Sequence, residues 1–423
     1  MNQGFRQKPT AQTFKLRYQA VLSLAVFAFL VSTSVSLAST THASRDFIEV
    51  IRVIAAVTVF GCTAFVIGAS QKLPRRALYA LAMYLFIVTY AAAISSLFGN
   101  FSFINFQMAF NILITSAGIL IFSSLRSFII PKNVATWFIA FATAMLALTA
   151  LVDGISFTYP PRFFIEYSPT ARDADLLYSQ GLSRFFGYAA IFSIFAGANS
   201  TSTLVRNAFF TLCLGFLALS FLGGGRGDSI GAAFIVIVYA AFSFPLRAIA
   251  AAALVALLSF YWLPWYLLDD FIIFQRILAL SDNFGSRDIL FVNSVTLLVE
   301  QPGCLALGCG FDYFQDYFGY RQGLYPHNFF LEAIITWGLP LVLFIGAGAV
   351  LGMRLYFRER GYLRDALFLH FSYSLLVSLK SGSSMSAWVV MASCFLFWGL
   401  AAHSLFTGTL PQIRKQAASE QGR

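Results

Sequence analysis

Polar chemistry in this chain is sparse, and one run holds much of it. Tyr325-Pro326-His327-Asn328-Phe329-Phe330-Leu331-Glu332 sets an imidazole, an amide and a carboxylate within a few residues of one another. Pro326 suits the first position of a helix, which would put His327 in the first turn. A helix N-terminus attracts anions and disfavours protonated His. A neutral imidazole at neutral pH is what a general base requires. Asn328 and Glu332 are four residues apart and would share a helix face. The plainer reading of His327 is an interfacial histidine satisfied by a backbone carbonyl, and these residues alone leave both readings open.

The segment upstream must position that run. A helix is expected within the second long loop: Ser286 can cap it, Asp288 suits its positive end, and Pro302-Gly303 stops it. Asn293, Thr296 and Glu300 recur at helical spacing, with Ile289, Val292, Leu298 and Val299 opposite. Such a helix would lie on the membrane or on the mouth of a bundle, as a plain lid or as part of a site. Gly308-Cys309-Gly310-Phe311-Asp312-Tyr313-Phe314 reads as a tight turn whose glycines permit close backbone approach. A lone Gly-x-Gly is weak support for phosphate binding. Cys304 and Cys309 share this loop, where an oxidising compartment would permit a bridge. Without a convergent histidine they do not indicate zinc.

The rest of the chain is the apolar frame. Its 423 residues are 59% hydrophobic and only 11% charged, and the mean hydropathy is +0.75. A soluble domain carries roughly 25% charged residues. Soluble enzymes, disordered chains and disulfide scaffolds are excluded. An all-α polytopic membrane protein remains, because apolar runs long enough to span recur throughout. Spans are expected near 19–39, 48–70, 77–97, 104–125, 133–152, 185–203, 207–223, 229–244, 246–265, 328–353, 364–380 and 385–406. That is a single integral membrane domain over 1–423 with about 12 helices. Two connections are long: 153–184, and 266–327 between helices 9 and 10, the latter expected to carry short helices and the chemistry described above.

Charge gives the orientation. With the N-terminus inside, 18 of the 28 Lys and Arg residues fall on the inner side and nine on the outer, with Arg52 in a span. The positive-inside rule therefore favours cytoplasmic termini, and the net charge of +10 reports topology rather than nucleic-acid affinity. Arg6, Lys8, Lys15 and Arg17 ahead of Val21–Val31 imitate a signal peptide. No clean small-x-small site stands near Ala38, so an uncleaved first span is expected. Arg184, Arg226 and Arg287 all fall outside, against the bias.

From Ser286 to Pro340 the chain resembles the O-antigen ligase and O-antigen polymerase family of bacterial membrane glycosyltransferases. Gly285-Ser286-Arg287 opens a helix and Gln301-Pro302 closes it. Gly308-Cys309-Gly310-Phe311, Pro326-His327-Asn328, Leu331-Glu332 and Trp337-Gly338-Leu339-Pro340 follow in order. Gly225-Arg226-Gly227 and Arg184-Phe185-Phe186-Gly187 are similar to two shorter family elements. Phe291 stands where the family often has Trp, and Tyr188-Ala189-Ala190 replaces its usual Asn-Pro-Asn.

The resemblance implies transfer of a glycan from undecaprenyl diphosphate to an acceptor sugar hydroxyl, inverting and without a metal or other cofactor. A lipid diphosphate leaves readily, so the site needs cations rather than a strong acid, and arginine binds phosphate bidentately. On that basis His327 is the expected base, Arg287 and Glu332 join it in catalysis, and Arg226, Arg184, Arg287 and Asn328 hold the diphosphate. Each arginine taken singly also reads as a headgroup or salt-bridge contact, with Asp228 a partner for Arg226 and Asp288 for Arg287. The expected setting is the periplasmic face of the bacterial inner membrane, and the expected partners are the lipid-linked donor, a glycan or lipid A-core acceptor, membrane lipid and a chain-length regulator. A repeat-unit polymerase is favoured over a ligase. A lipid-linked glycan flippase or transporter is the reading from another class; it wants midplane charge, and only Glu49, Arg52 and Lys380 offer any. Glu49 and Arg52 read as a structural pair, and His42, His370 and His403 as structural. Cys62, Cys213 and Cys394 read as small apolar groups.

Overall fold

A computed structural model describes residues 11–35, 42–69, 73–97, 106–125, 132–152, 155–158, 162–165, 180–222, 226–244, 286–320, 325–360, 366–381 and 387–407. Within these, the side chains of Glu49, Arg226, Arg287 and Asp288 lie outside the described part. The expected ninth span at 246–265 also lies outside the described residues.

The chain folds as helix after helix. In order they are α1 (Ala11–Val35), α2 (His42–Ala69), α3 (Arg75–Leu97), α4 (Phe106–Ser124), α5 (Lys132–Val152), α6 (Gln180–Ala198), α7 (Thr203–Leu222) and α8 (Arg226–Ser243). After the second loop come α9 (Ser286–Glu300), α10 (Pro302–Leu307), α11 (Tyr313–Phe318), α12 (Phe329–Trp337), α13 (Leu339–Arg360), α14 (Ala366–Ser381) and α15 (Trp388–Thr407). The all-α expectation needs one amendment. Strands β1 (Ile155–Thr158) and β2 (Arg162–Ile165) pair antiparallel in the first long loop, Ile155 opposite Ile165.

Helices α1, α2, α3, α7, α13 and α15 are long and apolar enough to cross a membrane. Shorter apolar helices lie in α4, α5, α6, α8, α9 and α14. Lipid offers no partner for backbone polar groups, so helices that satisfy them internally are the viable form. Hydroxyls are absorbed the same way: Ser34, Thr63 and Ser95 each donate to the carbonyl four residues back. Apolar side chains such as Val53, Val57 and Leu343 point away from the core, as lipid-facing groups do.

The main core runs through the bundle, with α1 in it: Ala25, Val26 and Phe29 are fully buried. Helix pairs approach closely over small residues. A Cβ on Gly352 of α13 would collide with the Phe397 carbonyl of α15, and one on Gly399 with the Arg76 carbonyl of α3. Direction follows from cross-contacts. Tyr79 meets the His403 ring and Tyr84 the Phe395 ring, so α3 and α15 are antiparallel. The short connection from α14 to α15 then sets the C-terminal ends of α3 and α14 at the same end of the bundle.

A second, smaller core sits at that end. Leu290 and Leu297 of α9, Phe314 of α11 and Ile335 of α12 form it, with Phe318 and Tyr320 against them. Helix α9 is therefore placed by Leu290, Ser294 and Leu297, while Ile289, Val292 and Val299 stay exposed. The expected tenth span needs correction here. The stretch 328–353 is broken at Gly338, whose φ is 81°. Phe329, Ala333 and Trp337 of α12 face the main core and Ile335 faces the small one. Helix α12 is a shelf between the two, and the crossing helix starts at Leu339.

Candidate functional site

His327 stands at the lip of this shelf. The sequence reading set it inside the first turn. Instead Asn328 is the N-cap, in an extended conformation, and its side-chain oxygen accepts from the N–H groups of Phe330 and Leu331. His327 precedes the helix with φ 54°, in the left-handed region. Histidine enters that region more readily than most side chains, yet such a residue is uncommon. Backbone held this way at a cost of order 1–3 kcal/mol tends to cluster at functional sites. Pro326 is buried and the ring of Tyr325 lies 4.3 Å from the imidazole, so the turn is held from one side. His327 and Glu332 are both half-buried. Glu332 sits in the first turn of α12, where a carboxylate is favourable to the dipole. Asn328 thus fixes the start of α12 through its amide oxygen.

The far end of α12 explains the glycine turn. Cys309 N–H donates to the Ile335 carbonyl and Gly310 N–H to that of Thr336, at 2.7 and 3.2 Å. These close carbonyls that the helix end would otherwise leave open. Phe311 N–H donates to the Ser95 hydroxyl at 2.7 Å, and the Tyr90 hydroxyl to the Leu307 carbonyl at 2.6 Å. The turn clamps α12 to the end of α3, which accounts for its glycines without a phosphate. Cys304 and Cys309 form a disulfide across it, with Cα atoms 4.8 Å apart.

A charged cluster lies at the same end of the bundle. Arg184, on the second turn of α6, donates through Nε to Asp228 Oδ1 at 2.9 Å. Lys380, in the last turn of α14, donates to Asp228 Oδ2 at 2.6 Å. Asp228 is fully buried. The Tyr373 hydroxyl donates to the Asp228 carbonyl at 3.1 Å. Below it Tyr188 and Ser374 share a hydrogen bond at 2.7 Å, and the Tyr188 ring lies 4.5 Å from His370. Both oxygens of Asp228 are engaged, by Arg184 and by Lys380, while its expected pairing with Arg226 lies outside the described side chains. Arg184, expected in the loop 153–184, lies inside a helix that begins at Gln180.

The expected residues divide accordingly. His327, Asn328 and Glu332 stand together on α12 or just before it. Arg184 stands with Asp228 and Lys380, and α12 packs against α14, which carries Lys380. Arg226 opens α8, two residues before Asp228, and Arg287 is the second residue of α9. Arg52, read as the partner of Glu49, has its guanidinium 5.8 Å from the ring centres of both Phe110 and Trp388. His370 is fully buried with neither ring nitrogen hydrogen-bonded among the described residues. Sequence reasoning named Lys380 only as a midplane charge for a transporter, and missed Tyr373. The signal for Lys380 was present: a lysine closing an apolar span on the side where lysine is scarce.

No protein-family model, curated protein or solved structure matches the chain.

Proposed function

We propose that this chain is a bacterial membrane glycosyltransferase of the O-antigen ligase and polymerase kind, acting on undecaprenyl-diphosphate-linked glycan at the periplasmic face of the inner membrane. His327 takes the proton from an acceptor sugar hydroxyl. The hydroxyl oxygen then bonds to the anomeric carbon as the bond from that carbon to the diphosphate breaks. One in-line displacement inverts the anomeric centre, and Arg287, Arg226 and Arg184 neutralise the departing phosphates. General-base help of this type contributes about 10²–10⁴-fold. Glu332 orients the acceptor, and no metal or cofactor takes part.

The observation that carries this reading is the left-handed turn at His327, set by a capped helix lying between the bundle core and the outer cluster. The Cys304–Cys309 disulfide supports an oxidising compartment for that end, in agreement with a charge bias that favours cytoplasmic termini for a chain of about twelve spans. The reading is tested by His327→Ala and Arg287→Ala in cells that make the glycan. Loss of polymer at normal protein level is expected. Normal polymer would remove that residue from the mechanism. Glycan laddering separates acceptors: single-repeat caps that persist without long chains indicate a polymerase, the favoured reading. Lipid-linked polymer that accumulates with no capping indicates a ligase to lipid A-core.

One observation favours the transporter reading instead. Polar groups descend from Asp228 through Tyr373 and Tyr188 to His370, inside the bundle. Transporters keep such groups near the midplane. His370→Phe decides between them: glycosyl transfer predicts unchanged polymer at unchanged protein level, whereas proton-linked transport predicts its loss.

A further inference from the structure

Helix α9 has three faces. Leu290 and Leu297 enter the small core, with Ser294 buried between them. A polar edge is taken up by α11 and the residues after it: Asn293 donates to the Tyr320 hydroxyl, and the Tyr317 hydroxyl donates to Glu300 at 2.7 Å. The third face is apolar and open. Phe291, Val295 and Val299 recur every four residues along it, 52%, 41% and 74% exposed, with Val292 at their flank. Helix α10 adds Leu305 and Leu307, both exposed, and no charged residue stands between Glu300 and Asp312. Large apolar side chains in so continuous a run mark a contact surface.

The depth of this surface follows from Tyr90, whose hydroxyl donates to the Leu307 carbonyl at the end of α10. Tyr90 lies within the apolar span Arg75–Leu97, two turns before its last residue. Two turns are about 10 Å, while a helix of that length barely exceeds a hydrocarbon layer of about 30 Å. The Leu307 carbonyl therefore sits below the hydrocarbon surface. A carbonyl there needs a partner from the protein, and Tyr90 supplies it. Helix α10 also packs against α13, a second span. The outer faces of both spans carry exposed apolar side chains, Leu85 and Phe86 on α3 and Leu343 and Phe344 on α13. The open stripe is thus continuous with the lipid-facing surface of the bundle.

We propose that α9 and α10 form an interfacial wedge whose open apolar stripe is seated among the acyl chains of the adjoining leaflet. Its partner is membrane lipid, held by burial of apolar surface, with Tyr317 and Tyr320 on the headgroup side. The α12 shelf is kept at membrane level in the same way, because Ile335 shares the small core with Leu290 and Leu297. This seat depends on the membrane-spanning helices and not on glycan transfer.

The test places a nitroxide on the full chain in nanodiscs of phosphatidylcholine and phosphatidylglycerol. The background carries Cys62→Ala, Cys213→Ala and Cys394→Ala and keeps the Cys304–Cys309 bridge. Val295→Cys and Val299→Cys carry the label on the stripe, and Asp316→Cys carries it on the exposed side of α11. Collision with oxygen, which concentrates among acyl chains, is compared with collision with a water-soluble nickel chelate. The oxygen-to-nickel ratio should be several times higher at both stripe positions than at the α11 position. Dominant nickel collision at the stripe would put it in water and overturn the proposal. Low collision with both reagents would mean that protein covers it, a second copy or another chain, and would overturn it equally. Val295→Asp needs no label. It should lower the melting temperature in nanodiscs, because it forces a carboxylate among acyl chains, while Val295→Ala should lower it much less. Equal melting temperatures for the wild type and Val295→Asp would also sink the lipid seat.

Discussion

Gly308 and Gly338 meet backbone to backbone. Both have positive φ, 80° and 81°, and a Cβ on Gly338 would stand 2.8 Å from Gly308 N while one on Gly308 would stand 2.8 Å from Gly338 N. The break in the tenth hydrophobic run and the tight turn of the loop are thus one feature, and they fix where the shelf helix ends.

Gly338→Ala should therefore destabilise the protein by about 2 kcal/mol or more, since alanine disfavours this φ and its methyl group meets main chain. Gly61→Ala is the control, because a Cβ there meets nothing within 4 Å. Melting in detergent should show a clear drop for the first and no drop for the second. Equal melting temperatures would contradict the contact.

Asn328 offers a sharper separation of roles. As an N-cap its loss should cost about 1 kcal/mol, and Asp should replace it well. Asn328→Ala should lower stability and glycan output together, while Asn328→Asp should keep both. Loss of output in a stable Asn328→Asp protein would mean that the amide itself contacts substrate.

How far these arrangements could be read in advance depended on their range. The helices were legible because apolar runs at spanning length have few other solutions, and the helix expected ahead of Pro302 is there as α9. The shelf was not, because Phe329–Trp337 is as apolar as a span, although Gly338 followed by Pro340 is a local stop signal that the length of the apolar run outweighed. His327 was singled out by type and by Pro326, yet its place outside the helix depended on Asn328 taking the cap. The pairing of Asp228 was invisible for a different reason. Arg226 is its neighbour in sequence, but Arg184 and Lys380 are 44 and 152 residues away. Local spacing carries no information about such partners.

The disulfide is checked by thiol labelling. Cys304 and Cys309 should react with a maleimide only after reduction in protein taken from membranes. A bridge over so short a loop contributes about 2 kcal/mol, so Cys304→Ser with Cys309→Ser should fold with a lowered melting temperature. Labelling without reductant would place this loop in a reducing compartment and remove the support for the proposed periplasmic location.

The proposed transfer depends on His327 as the base. The decisive measurement is single-turnover glycan transfer from undecaprenyl-diphosphate-linked substrate by purified wild-type and His327→Ala protein, with donor affinity measured in parallel. The expected result is a fall in the chemical step of about 10²–10⁴-fold with donor binding unchanged. Transfer at the wild-type rate by His327→Ala would contradict it.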